Sequence, residues 1–113
     1  MAALSSKLRS VRGAAGKAIG YFCPGCKSAH VLPIEGPGHP VWTWNGSVDN
    51  PTLTPSILAT TPFPPEDGGP HVCHHFLREG KLEFLQDSTH DLAGKTVDLP
   101  DWPGSYSDGD RSQ

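Results

Sequence analysis

Cys23-Pro24-Gly25-Cys26 is the stretch of this sequence whose residue types and spacing most directly allow chemistry. A Pro-Gly turn swings two thiols toward a common point, and two thiolates at that spacing are half of a tetrahedral zinc site. The rival reading is a redox pair, which sits at a helix N-terminus after a strand. No helical pattern follows Cys26, because Lys27–Ile34 reads as an extended segment interrupted at Pro33. The spacing therefore favours a metal. Cys73 is the remaining thiol of three and the natural third ligand. The fourth must come from His30, His71, His74, His75, His90 or an acid.

The segment around Cys73 narrows that choice. His71–Arg78 and Lys81–Gln86 flank Glu79-Gly80, which reads as a two-residue hairpin turn. That turn sets Arg78 opposite Lys81, Gln86 opposite Cys73 and Asp87 opposite Val72. Residues 87–90 then leave the sheet beside Cys73, so His90 is placed to complete a Cys₃His set, with His30 and then His75 as alternatives. A closed set of four ligands leaves no open coordination position. Such a zinc staples a fold rather than reacting with a substrate.

Side chains alternate along a strand. In this register Cys73, His75, Leu77, Leu82, Phe84 and Gln86 share one face, and Val72, His74, Phe76, Glu83, Leu85 and Asp87 the other. His74 and Asp87 are diagonal neighbours, close enough for an Asp to orient a His. That pair is the supporting half of a hydrolytic triad. Ser56 follows the proline-punctuated run Pro51-Thr52-Leu53-Thr54-Pro55 and is the candidate nucleophile. Asn45 and the Gly46 amide would be oxyanion donors if they lie nearby. A different arrangement, an open metal site with Glu83 or Asp87 as base, would give metal-assisted hydrolysis. Three thiolates make a poorer Lewis acid, and there is no H-E-x-x-H.

The elements that must position these residues are short strands. The chain has 113 residues, 13 glycines, 12 prolines and only 35% apolar residues, which suits strands joined by many turns and argues against long helices. The expected strands are Ile19–Phe22, Ala29–Ile34, Val41–Trp44, Ser56–Ala59, His71–Arg78, Lys81–Gln86 and Thr96–Leu99, with an irregular loop at 62–70. They make a mostly β fold: one small antiparallel meander, sandwich- or barrel-like, with a zinc knuckle and disordered termini. Residues 1–18 read as a basic flexible arm carrying Lys7, Arg9, Arg12 and Lys17, residues 19–100 as the zinc-stabilised domain, and 101–113 as a polar acidic tail from which Trp102 can fold back.

A net charge of −3 gives no nucleic-acid footprint. No stretch reaches the roughly 20 apolar residues of a membrane span, and no apolar signal segment opens the chain. Three cysteines cannot pair completely, which favours a reducing, cytoplasmic setting and metal ligation over disulfides.

The string F-C-P-G-C-x-x-x-H, W-x-W-N-G, P-T-x-x-P-S and C-H-x-F-x-x-x-G-x-x-x-F-x-x-D-x-x-H-x-L-A-G-x-T-V resembles a small family of unknown function in phages and bacteria. Many members carry the misleading label ammonia monooxygenase. Nothing in this sequence is similar to a membrane-bound copper enzyme. Some members are encoded beside bacterial ubiquitin-like conjugation genes and have been proposed to be peptidases that process or release the ubiquitin-like protein. The resemblance covers about residues 20–100. It implies Cys23, Cys26 and Cys73 as metal ligands and draws attention to His30, Ser56, His74, Asp87 and His90. Members often carry a cysteine where this chain has Ser88, which leaves the fourth ligand open. Two functions follow as expectations. One is a zinc-stabilised peptidase acting on a protein or peptide substrate, with Ser56, His74 and Asp87 as its catalytic set. The other is a non-catalytic phage zinc module, in the host cytoplasm, that engages a host or virion protein through exposed Trp42 or Trp44 and the basic arm.

Overall fold

The structure, a computed structural model, describes residues 2–13, 16–37, 40–61 and 71–104. Among them are strands and no helix, so no helix is long and apolar enough to cross a membrane. The first sheet is built from β1 (Ala2–Ala3), β2 (Leu8–Gly13), β3 (Gly16–Cys23) and β4 (Ser28–Pro33). The second is built from β5 (Thr43–Trp44), β6 (Leu53–Thr61), β7 (His71–Arg78), β8 (Lys81–Phe84) and β9 (Thr96–Asp98). Within each sheet the spatial order follows the chain order and neighbouring strands are antiparallel. The fold is thus the mostly β meander that the turn-rich composition predicts. It is arranged as two sheets over one core, to which Leu8, Ile19, Tyr21 and Leu32 contribute from one side and Leu53, Ile57, Leu77, Leu82 and Phe84 from the other.

The β7–β8 hairpin has the register set by its turn: His75 faces Phe84, Leu77 faces Leu82 and Arg78 faces Lys81. Both turn residues, Glu79 and Gly80, adopt positive φ (50° and 78°), as a tight hairpin that follows the right-handed strand twist demands. The ladder ends sooner than expected. β8 stops at Phe84, and only the Leu85 amide continues the bonding, to the His74 carbonyl at 2.8 Å. The chain then turns, and Thr89 rather than Asp87 meets Val72, its amide donating to the Val72 carbonyl at 2.9 Å. Gln86 therefore does not pair with Cys73.

The N-terminal segment is not an arm. Residues 2–3 and 8–13 form β1 and β2, Leu8 is fully buried in the core, and β2 pairs with β3 from Leu8–Tyr21 to Gly13–Gly16. Its scattered apolar residues resemble a solvated tail because a short strand needs few inward positions. Arg9 is buried too, its guanidinium donating to the Ser5 and Leu8 carbonyls and stacking over the Trp102 ring at 4.8 Å. The start of the C-terminal tail is likewise docked. Trp102 is buried, and its amide donates to the Ser6 carbonyl at 2.8 Å. Residues 105–113 and the loop 62–70 lie outside the described residues.

β6 runs through Pro55 and is longer than the expected Ser56–Ala59 strand. Between the pairs Leu53–Leu77 and Ile57–His75 the register shifts, so Thr54, Pro55 and Ser56 together face the single residue Phe76. A bulge of this kind tolerates a proline and re-aims the side chain that follows it.

Candidate active site and metal centre

β7 carries both sets of candidate residues on its two faces. Its burial alternates, with Cys73, His75 and Leu77 inward and His74 and Phe76 outward. Leu58 lies directly across from His74 in the β6–β7 ladder, so Ser56, two residues earlier, is its diagonal neighbour on the same face. The Ser56 hydroxyl lies 3.4 Å from His74 Nε2. On the other ring nitrogen, His74 Nδ1 lies 3.0 Å from Asp87 Oδ2 and 3.2 Å from Oδ1. The structure therefore brings Ser56, His74 and Asp87 into one chain of contacts. A carboxylate accepts from Nδ1–H, which leaves the Nε2 lone pair facing the serine hydroxyl. The Ser56–His74 distance is slightly longer than the ~2.6–3.2 Å of a proton-transferring pair, as is usual without substrate.

Two further residues hold this set, and sequence spacing does not reveal either. The Ser88 hydroxyl accepts from the His74 amide (3.0 Å) and donates to the His74 carbonyl (3.1 Å), clamping the histidine's backbone. Ser88 is buried there. The Trp42 indole N–H donates to the Ser56 carbonyl at 3.3 Å. Trp42 and Trp44 are half-buried rather than exposed, and the Trp44 indole donates to the Ser47 carbonyl at 3.0 Å.

Asn45 makes its hydrogen bonds within its own loop. The Asn45 amide donates to the Thr52 carbonyl and its Nδ2 to Asn50, while its Oδ1 accepts from Ser47 and Thr52. All of these close its own loop. Glu83 pairs with Arg78 at 3.1 Å, and Arg78 stacks on Phe76. Of the two acids considered as a metal-side base, Glu83 thus contacts Arg78 and Asp87 contacts His74.

The inward face gathers the thiols. Ligand atoms of Cys23, Cys26, Cys73 and His90 all lie within 4.8 Å of one another. Cys23 Sγ and Cys73 Sγ are 3.9 Å apart, and His90 Nε2 is 3.4 Å from Cys73 Sγ. Those edges match a tetrahedron with metal–sulfur bonds of about 2.3 Å and a metal–nitrogen bond of about 2.0 Å. The Pro24-Gly25 turn is closed by the Lys27 amide on the Cys23 carbonyl (2.8 Å), and the Cys26 amide points at Cys23 Sγ (3.4 Å). A Cβ on Gly25 would overlap the His90 ring, so the turn needs glycine where the histidine lies over it. His30 is 3.6 Å and His71 3.2 Å from Cys26 Sγ, and neither belongs to that four-residue group.

The donor chemistry also fits a cation. Hydrogen bonds from Cys26 and Cys73 draw the Cys23 thiol's pKa down, while Cys26 is pushed up to about 12 by the same Cys23 contact and Cys73 is raised as well. Three crowded thiols compete for one negative charge, a competition that a divalent cation relieves. His75 lies behind Cys73. Burial, with His30 close by, lowers its pKa to about 3, so it is neutral. Its Nε2 is 2.7 Å from the buried Tyr21 hydroxyl and its Nδ1 3.3 Å from Cys73 Sγ. With the phenol proton on Nε2, the ring proton sits on Nδ1 and faces the sulfur, the usual support for a metal-bound thiolate. At His90 the fit requires an adjustment. The Leu92 amide points at Nδ1 (3.2 Å), and a metal on Nε2 would place a proton there.

These features define a small all-β protein with a Ser-His-Asp contact chain on one face of a sheet and a thiol-rich cluster, apt for a metal, on the other. A family model described as bacterial ubiquitination-like system serine protease (BubE) matches residues 3–85, and the chain belongs to that family. The matched span begins in β1 and contains Ser56, His74 and all three cysteines; Asp87 and His90 follow it closely. No curated protein and no solved structure matches the chain.

Proposed function

We propose that this chain is a serine peptidase that cleaves at the C-terminus of a ubiquitin-like protein, with zinc as a staple rather than a reactant. The observation that carries the reading is the pair of contacts on His74: the Ser56 hydroxyl at Nε2 and the Asp87 carboxylate at Nδ1. In this reading Ser56 Oγ attacks the scissile carbonyl as its proton passes to His74 Nε2. Asp87 holds the imidazole in the tautomer that can accept it and balances the imidazolium. Collapse of the tetrahedral intermediate breaks the C–N bond, and the proton on Nε2 leaves with the amine. Water then hydrolyses the acyl-serine ester by the same proton route and restores the free hydroxyl.

Cys23, Cys26, Cys73 and His90 would hold the zinc. Bound there, it would supply cross-linking between the two sheets and no substrate coordination, because four protein ligands fill a tetrahedron. Three unpaired thiols suit a reducing cytoplasm. The non-catalytic alternative loses its proposed contacts, since both tryptophans are half-buried and the basic segment is strand. The test is cleavage of a ubiquitin-like protein extended at its C-terminus. Wild type should cut it and Ser56→Ala should not, at equal zinc content. Undiminished cleavage by Ser56→Ala would overturn the reading.

A further inference from the structure

Residues 87–90 belong to both sites at once. Asp87 contacts His74 Nδ1, Ser88 clamps the His74 backbone, Thr89 is bonded to Val72, and His90 lies against Cys73 Sγ. The segment has no ladder of its own, because β8 ends at Phe84. The Asp87 carboxylate is 60% exposed, so packing does not fix it. Its position depends on the backbone that carries it. That backbone is pinned at three successive points: Ser88 on His74, Thr89 on Val72 through its amide and hydroxyl, and the His90 ring over Gly25. Two of the three anchors belong to the strand that also carries Cys73. The third is itself a candidate ligand.

We infer that the 87–90 strap couples the two faces, so that ligation of His90 and Cys73 holds Asp87 against His74 and keeps Ser56 reactive. Ser88 and His90 are then positioning residues for the peptidase, which would be a serine enzyme sensitive to chelators although no metal touches its substrate. The inference rests on the peptidase reading above. Physically, a bare imidazole–thiol contact is a weak tether, whereas two bonds to a common cation fix both partners within tenths of an ångström. Only two residues separate Asp87 from His90, so a shift of the histidine is transmitted to the carboxylate.

The experiment follows Ser56 with a fluorophosphonate probe on the full chain, with and without its zinc, alongside hydrogen exchange of the 87–90 amides. Stripping with a chelator should slow labelling at least about tenfold and speed exchange in the strap, and added zinc should reverse both. His90→Ala should copy the stripped protein, and His90→Cys, which keeps a zinc ligand, should restore labelling. Ser88→Ala should keep its zinc yet lose about tenfold in kcat with KM unchanged. This last variant keeps the test decisive if stripping unfolds the chain. Full labelling by folded, stripped protein, or full kcat in Ser88→Ala, would overturn the coupling and leave the peptidase standing. Failure of the zinc-loaded wild type to label would instead remove the peptidase reading, and the coupling with it.

Discussion

On the inner face of β7, Cys73 and His75 have no exposed surface; on the outer face, one residue away, His74 keeps about a quarter of its side chain in solvent. Both faces gather polar, reactive groups, but they treat them differently. The inner groups are closed in by core residues of two sheets, with Tyr21 and Phe84 packed on the His75 ring. Cys23 and Cys73 are buried there, while Cys26 and His90 are half-buried. The outer groups are half-open and flanked by the exposed Leu58. On the proposed reading, similar residue types staple on one side and catalyse on the other, and burial makes the difference.

That contrast can be broken one face at a time. The largest effect should come from Ser56→Ala, with cleavage falling by about 10⁴–10⁶-fold while zinc content and thermal midpoint stay at wild-type values. Asp87→Asn should follow, at about 10²–10⁴-fold in kcat, again with little change in stability because the carboxylate is largely exposed. On the inner face the signature reverses. Cys73→Ser should release zinc and lower stability by about 3 kcal/mol or more in a denaturant titration, and chelation should do the same to wild type.

Leu8→Ala tests the first sheet, since a fully buried strand residue should cost about 2–5 kcal/mol where a mobile arm would cost nothing. The smallest effect is reserved for Trp42→Phe. Loss of the indole hydrogen bond to the Ser56 carbonyl should cost about 1 kcal/mol and reduce kcat severalfold, measured on the same cleavage reaction.

Local features of the chain were legible because their physics is local. Strand alternation alone puts Cys73 and His74 on opposite faces, and the two-residue turn at Glu79-Gly80 fixes the register that aligns them. The Cys-Pro-Gly-Cys turn likewise defines its own geometry. Expectation and structure part where a distant partner decides. Leu8 and Arg9 look like tail residues until Tyr21 and Trp102 are in place to cover them. Asn45 looks like an oxyanion donor until its loop consumes its amide.

By itself, then, the sequence determined that this is a turn-rich β protein with a thiol knuckle, and that β7 would present a thiol one way and an imidazole the other. Tertiary structure decided which residues meet. Cys23 reaches Cys73 only because the sheets face each other, and Ser56 reaches His74 only because a bulge in β6 shifts its register by two residues. The turn at 86–87 carries Asp87 to the same imidazole and leads His90 onward to the thiols. Those contacts depend on pairing and packing between segments far apart in the chain, which no local preference encodes.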